Sequence, residues 1–372
     1  MQSADRSQWY EECVLCPHRC RVNRTQGEIG FCGQSSESRI ARAALHFWEE
    51  PELSGVYDSA DGDADDDNGR GSGTVFFTGC NLRCIYCQNH AISRDRLSGS
   101  RSEGASPGGD LDTDAAGDIG RIDRVGRNVD EEELADIFLD LQRQGARNIN
   151  LVTAFMHMPH VLNALDIAKA NGLSIPIVYN SSGYESLELL KAMEGYIDIY
   201  LPDLKYVSED LAAELSHAPD YPRVAKAAIA EMVRQTKTIV RHLVLPGHVR
   251  ESKRVLDYLY ETYAELLGSG SCYAESLQEK NPHENSDPHR LQISIMSQYT
   301  PVAAALHALS GRKDFRPPEK GDGAPRNAHP ELDRRITKRE YDRVVDHAIA
   351  LGITNAYIQG RSVAKESFIP PF

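Results

Sequence analysis

The sequence predicts an α/β protein: a partial (β/α)6 barrel preceded by a cysteine-rich metal knuckle. Three observations predict it. From residue 74 onward, short apolar runs alternate with helical stretches about six times. Polar motifs fall just past the C-terminal ends of those runs, where barrels present functional groups; a doubly wound sheet is the other arrangement such alternation allows. Four cysteines, Cys13, Cys16, Cys20 and Cys32, crowd the N-terminal segment.

Residues 1–57 form that four-cysteine segment, spaced C-x2-C-x3-C-x11-C. Four thiolates can close a tetrahedral site, and Pro17, Gly27, Gly30 and Gly33 permit the turns it needs. Zinc would make it a structural staple, and a second iron-sulfur cluster an electron relay. The ferredoxin run C-x2-C-x2-C-x3-C-P is not present, and spacing leaves both metals open. Residues 58–73 read as a solvated acidic loop, with six aspartates between Asp58 and Asp67. The barrel occupies 74–372. It opens on a buried strand at Val75–Phe77, followed by "TGCNLRCIYCQN".

Residues near 96–128 are rich in Gly, Ser, Asp and Arg and read as a flexible insertion. A helix from about Asp130 to Gln144 places Leu134, Ile137, Phe138 and Leu141 on one face, behind an acidic first turn. Strand-like "NINLVT", "IPIVYN", "IDIYLPD", "TIVRHLVLP" and "LQISIMSQ" each precede helical sequence. The third is followed by one long polar and helical stretch to about Thr236. A helix from about Lys338 to Leu351 and a strand "NAYIQG" close the pattern. Polar, Pro/Gly-rich insertions are expected near 269–288 and 311–328. Cys272 stands alone in the first of them.

The chain of 372 residues carries a formal charge of -14, which argues against a nucleic-acid backbone as the main partner. No apolar run approaches the roughly 20 residues of a membrane span, and the N-terminus lacks the pattern of a signal peptide. The expected location is cytoplasmic. There, eight cysteines suggest metal binding rather than a disulfide framework.

Cys80, Cys84 and Cys87 are spaced C-x3-C-x2-C. Three cysteines can hold three irons of a 4Fe-4S cubane and leave the fourth iron open. S-adenosylmethionine can chelate an open iron through its amino and carboxylate groups, and an electron from the cluster can then cleave its sulfonium bond. The plainer alternative is a zinc site completed by His90.

With Tyr86 as the aromatic residue before the last cysteine, the loop resembles the hallmark of the radical S-adenosylmethionine superfamily. "VYNSSGYES", "DIYLPDLKY", "RHLVLPGH", "IMSQYTP", "FIPPF" and the N-terminal "CVLCPHRC", "GEIGFCG" and "FWEEPELSG" resemble its pyruvate formate-lyase-activating enzyme homologues. The resemblance implies a barrel of that type, with the cluster on Cys80, Cys84 and Cys87 and Tyr86 against the adenine. It implies that Asn180, Ser181, Ser182 and Gly183 lie beside the cofactor. Asp203 and Lys205 match the family's Asp-Leu-Lys stretch, and Arg241 an arginine at the cofactor's polar end. Asn180 replaces an acid that helps hold a cation in the family. The Gly-Gly-Glu motif of many members is missing; "NLVTAFMH" stands there, with Thr153 the candidate hydroxyl. A surface ion pair is the alternative for Asp203 and Lys205. His157 and His160 are candidates for structural histidines or a metal pair.

The expected activity is reductive cleavage of S-adenosylmethionine to a 5′-deoxyadenosyl radical, with glycyl radical formation on a partner protein as the target reaction. The alternatives are a radical enzyme acting on a small molecule and a non-catalytic iron-sulfur carrier. Expected partners are an electron donor such as flavodoxin or ferredoxin and a protein substrate, with no nucleic acid and no membrane.

Overall fold

In the computed structural model, residues 6–55, 71–94, 125–267, 290–301 and 329–359 are described. The loop from 58 to 70, most of the 96–128 stretch, the insertions near 269–288 and 311–328, Cys272 and "FIPPF" lie outside them. The described residues pack as two units. One comprises residues to Asn81 together with His90–Asn180; the other comprises Leu82–Asn89 and the chain from Ser181.

The first unit contains short helices α1 (Gln8–Glu11), α2 (Pro51–Ser54) and α3 (His90–Ser93). Its strands are β1 (Ser38–His46), β2 (Ser72–Phe77), β3 (Arg127–Val129), β4 (Ile149–Val152) and β5 (Ile177–Ser181), in the order β3-β1-β2-β4-β5. β2, β4 and β5 are parallel, with Thr74 opposite Asn150 and Asn150 opposite Val178. β1 is antiparallel to both β2 and β3. Every residue of β2 and β4 is buried, as parallel strands covered on both faces require.

Two of these strands depart from the expectations. Ser72 and Gly73, read as the end of the acidic loop, belong to β2. Arg127 and Asn128, read as the end of an insertion, belong to β3 and pair with Ile40 and Arg39. Arg39 donates to the carbonyls of Val125 and Gly126 and to Asn128 Oδ1, which holds that short strand in place.

Helix α4 (Glu131–Arg143) follows β3 and is capped by Asp130, whose side chain accepts the Glu133 N–H at 2.8 Å. It buries Leu134, Ala135, Phe138 and Leu141, so Ala135 faces the core and Ile137 is only half-buried. Helix α5 (Met158–Ala170) follows β4.

The second unit begins with helix α6 (Leu187–Ala192), then β6 (Ile199–Pro202), α7 (Glu209–Ser216), α8 (Tyr221–Gln235), β7 (Lys237–Leu243), α9 (Val249–Leu267), β8 (Leu291–Met296), α10 (Lys338–Leu351) and β9 (Ala356–Ile358). Its strands run β6-β7-β8-β9, all parallel. The six expected strand-helix runs are thus β2, β4, β5, β6, β7 and β8. Neither end strand, β3 in the first unit or β9 in the second, pairs with a further described strand. α10 starts at a capping box formed by Thr337 and Glu340, a pattern visible as T-x-x-E.

The long polar and helical stretch to about Thr236 holds two helices, α7 and α8. His217 adopts a left-handed conformation (φ 53°), Pro219 follows, and α8 restarts with Pro222 in its first turn. A proline cannot sit in a continuous helix interior without losing a hydrogen bond, so the chain turns there.

Candidate functional site

The cysteine loop is fastened to the end of α7. The last carbonyls of a helix have no intrahelical partner. Here Ser216 O accepts the Arg83 N–H at 3.2 Å and Leu215 O accepts the Ile85 N–H at 2.9 Å. Cys84 Sγ lies 3.0 Å from Ser216 Oγ. Cys84 is buried; Cys80 and Cys87 are half-buried. Burial pushes the Cys84 thiol above its ordinary value, and the nearby Lys205 ammonium opposes that rise. The Tyr86 ring is buried against Tyr299 in an edge contact, and its hydroxyl accepts from Tyr206. Burial, then the neighbouring Cys84, raise the Tyr86 hydroxyl well above its usual range.

The predicted strand-end residues form two backbone rows. In the first unit the Thr153 N–H donates to Asn180 O at 2.9 Å. Thr153 has φ 56°, a left-handed conformation that is a genuine outlier for a β-branched residue. Such strain is concentrated at functional sites. In the second unit the Asp203 N–H donates to Ser181 O at 3.0 Å and the Leu204 N–H to Arg241 O at 2.8 Å, so Ser181, Asp203 and Arg241 stand in register. Ser182, Asp203, Lys205 and Arg241 are all half-buried. Lys205 Nζ bonds Asp203 Oδ2, and the two side chains are only 17% and 25% exposed, so this is not a surface pair. Burial alone would lower the Lys205 ammonium; Asp203 and Cys84 more than offset it and hold it above its ordinary value.

Tyr221, which sequence reasoning missed, organises this corner. Its hydroxyl lies 2.7 Å from Asp203 O and 2.9 Å from Ser182 O, and it accepts the Lys205 N–H at 3.0 Å. His242 was also missed; it is buried with Nδ1 2.8 Å from Leu204 O, and burial lowers its pKa. Neither residue has a sequence signature, because both act on backbone atoms.

The N-terminal cysteines lie on a folded knuckle. Cys13 exchanges backbone hydrogen bonds with Val22 and Arg21, the Arg19 N–H donates to Cys16 O, and the Phe31 N–H donates to Cys20 Sγ at 3.3 Å. Cys13, Cys16 and Cys32 are buried and Cys20 is half-buried. Burial raises the thiols of Cys16 and Cys20. Arg24, 1% exposed, lies beside Cys13 and Cys32. It packs over the Tyr10 ring at 4.4 Å and donates to the carbonyls of Ser35 and Met156, with no carboxylate partner among the described residues. The knuckle also touches the start of the cysteine loop. His18 Nε2 lies 2.9 Å from Asn81 O, and Thr78 Oγ1 donates to Gln34 Oε1 at 3.0 Å.

His157 and His160 do not form a metal pair. His157 Nε2 bonds Thr78 O at 3.0 Å, while His160 bonds Glu131 and Ser36 O.

Among the described residues, no three His, Cys, Asp or Glu side chains are grouped so as to hold a metal ion, and none of the seven described cysteines is in a disulfide. The donor set of the central loop fits a cluster: three thiols within eight residues, with a hydroxyl beside the buried one. No helix of the described residues is long and apolar enough to cross a membrane.

The described residues thus hold a mostly parallel α/β scaffold, a three-cysteine loop after its first parallel strand, and polar groups in rows at the following strand ends. The Radical SAM superfamily model matches residues 74–259, half of the chain, and the protein belongs to that superfamily. Membership implies an enzyme with a 4Fe-4S cluster and S-adenosylmethionine. The chain is 28% identical over 240 residues to the uncharacterized protein MJ0674 of Methanocaldococcus jannaschii, a match covering 64% of this chain and 59% of that one. It is similar in structure to Streptococcus suis SuiB, solved bound to precursor peptide SuiA, with TM-score 0.40 and 10% identity over 76% of this chain and 47% of that one. The chain therefore spans less than two thirds of the length of either.

Proposed function

We propose that this chain is an activating enzyme of the pyruvate formate-lyase-activating type, which cleaves S-adenosylmethionine reductively and forms a glycyl radical on a partner protein. The observation that carries the cleavage reading is the arrangement in the second unit: buried Cys84 beside the Lys205–Asp203 pair, with Asp203 in register with Ser181 and Arg241. The glycyl target rests on the resemblance of the motifs around Tyr86, Asn180, Asp203 and Arg241 to that homologue group.

In this reading Cys80, Cys84 and Cys87 hold three irons. When bound, the cluster and S-adenosylmethionine supply one-electron cleavage of a sulfonium and a carbon radical that abstracts hydrogen. The chain's own groups bind and orient. Tyr86 borders the adenine. Thr153, Asn180 and Ser182 offer hydroxyl and amide groups. Asp203 meets the ammonium of the methionine end, Arg241 its carboxylate, and Lys205 holds the Asp203 carboxylate in place. A low-potential carrier such as flavodoxin or ferredoxin delivers the electron, and the compartment is the cytoplasm.

The knuckle residues Cys13, Cys16, Cys20 and Cys32 hold zinc or a second cluster. Buried Arg24 supports this, because it lies beside Cys13 and Cys32, a buried guanidinium needs a counter-charge, and metal-bound thiolates supply one.

The test is anaerobic reconstitution followed by reduction with S-adenosylmethionine present. Formation of 5′-deoxyadenosine by the wild type, lost in Cys84→Ala, is expected. Addition of a candidate glycyl-radical partner should give a doublet in electron paramagnetic resonance. Cofactor cleavage that survives Cys84→Ala would sink the cluster assignment, and cleavage without any protein radical would sink the glycyl target.

A further inference from the structure

We infer that Ser216 is the hydrogen-bond donor that positions Cys84 as a cluster ligand and sets the cluster's ease of reduction, and that Tyr206 and Tyr86 orient it. The inference rests on the reading of Cys84 as a ligand.

Four atoms form an unbroken chain. Cys84 Sγ and Ser216 Oγ are 3.0 Å apart, Ser216 Oγ and Tyr206 Oη are 3.0 Å apart, and Tyr206 Oη bonds Tyr86 Oη. All four residues are buried, Ser216 fully. Buried polar groups of this kind are held by hydrogen bonds, and these contacts supply them.

Each hydroxyl carries one proton. With Cys84 as a thiol, the chain runs outward: the thiol donates to Ser216, Ser216 to Tyr206 and Tyr206 to Tyr86, which is the direction of the tyrosine pair in this structure. A cysteine bound to iron is a thiolate and can only accept. Ser216 then turns its proton onto sulfur. It needs a donor in exchange, and Tyr206 is the hydroxyl within reach. Tyr206 then gives its proton to Ser216 instead of Tyr86, and the Ser216 contacts on both sides allow either partner to donate. Alanine at 216 would leave the buried thiolate and the Tyr206 hydroxyl without this partner.

A hydrogen bond to a cluster thiolate withdraws negative charge from sulfur and favours the reduced, more negative cluster. The backbone serves the same end. Ser216 and Leu215 are the last residues of α7, and their carbonyls hold the amides on either side of Cys84. The hydroxyl is therefore fixed relative to the thiol by two backbone bonds.

The experiment is a potentiometric titration of the reconstituted holoenzyme, followed by electron paramagnetic resonance, on the wild type, Ser216→Ala, Ser216→Thr and Tyr206→Phe, with iron assayed on the same samples. At a fixed potential near the wild-type midpoint, Ser216→Ala should show a reduced-to-oxidised ratio about five- to tenfold lower, which is less than the full worth of one hydrogen bond to a charged group because the oxidised cluster accepts the bond too. Tyr206→Phe should shift the same way by less, and Ser216→Thr should restore the wild-type value. In heavy water the iron-thiolate stretching bands of the wild type should shift in resonance Raman spectra, and those of Ser216→Ala should not. An unchanged ratio in Ser216→Ala at wild-type iron content overturns the inference. If Ser216→Ala fails to load iron, a wild-type ratio in Tyr206→Phe together with deuterium-insensitive wild-type bands overturns it instead. A cluster that loads fully in Cys84→Ala overturns the ligand reading, and is told apart because iron, not potential, reports it.

Discussion

Gly183→Ala probes the strand-end corner more sharply than any side-chain deletion. Gly183 has φ +78°, and a Cβ there would lie 2.3 Å from the Asp203 carbonyl oxygen and 3.3 Å from the Tyr221 hydroxyl. The left-handed conformation costs a residue with a Cβ about 1–2 kcal/mol. The carbonyl cannot step aside cheaply. The Tyr221 hydroxyl is 2.7 Å from it, and the Asp203 N–H is bonded to Ser181 O. Forcing an atom into such a contact adds about 1–3 kcal/mol, for a total of roughly 2–5 kcal/mol. Gly195 is the control. Its φ is +83°, and nothing lies within 4 Å of its would-be Cβ, so Gly195→Ala incurs only the conformational cost. Urea unfolding of the two variants, compared at equal slope, should place Gly183→Ala about 1–3 kcal/mol below Gly195→Ala. Equal losses would refute the reasoning, because they would mean that the backbone conformation costs something and the close approach nothing.

Three further outcomes are expected. His157 has its pKa lowered to about 3, by burial first and then by Arg24, so it folds as the neutral imidazole. Its unfolded form takes up a proton more readily, so its contribution is complete above about pH 6.5 and is lost as pH falls from there towards 3. Between pH 7 and 4.5 the wild type should lose about 2–3 kcal/mol more than His157→Gln in urea titrations, and parallel curves would count against it. Asp203→Ala should weaken S-adenosylmethionine binding about tenfold or more by calorimetry, with iron content maintained, since a charge-assisted contact is worth roughly 1.5–3 kcal/mol. In Cys16→Ala the metal content should fall by about one zinc or one cluster and thermal stability should fall with it, whereas unchanged metal and melting would leave the knuckle as four thiols.

The parallel core was legible because its signals are local. An apolar run followed by a period-3.6 pattern identifies a strand and its helix without reference to the rest of the chain. The helix expected from about Lys338 to Leu351 is found at Lys338–Leu351, between a capping box and the C-cap Gly352. β1 was not readable. Its residues include Arg39 and Arg42 among small apolar ones, and only the first three are fully buried. β3 is three residues long, with two exposed, and is a strand because β1 and Arg39 bind it. Such strands are made by their partners, not by their own propensity.

The candidate site divides along the same line. Cys80, Cys84, Cys87 and the Asp203–Lys205 pair could be picked out because spacing and charge are visible in one dimension. Ser216 and Tyr221 could not. Ser216 is 132 residues from Cys84, and Tyr221 reaches backbone atoms that any residue would carry. The sequence "SHAPDYP" does mark a break with its two prolines, and a break is what ends α7 and exposes its last carbonyls. Those carbonyls are then bound by the amides of the cysteine loop. The turn between α7 and α8 therefore works as a docking point for the loop that carries Cys84. Lengthening it by one residue would rotate Ser216 by about 100° around the helix axis if the insertion fell within α7, and would leave it in place if it fell after His217. That contrast separates a positioned hydroxyl from a merely buried one.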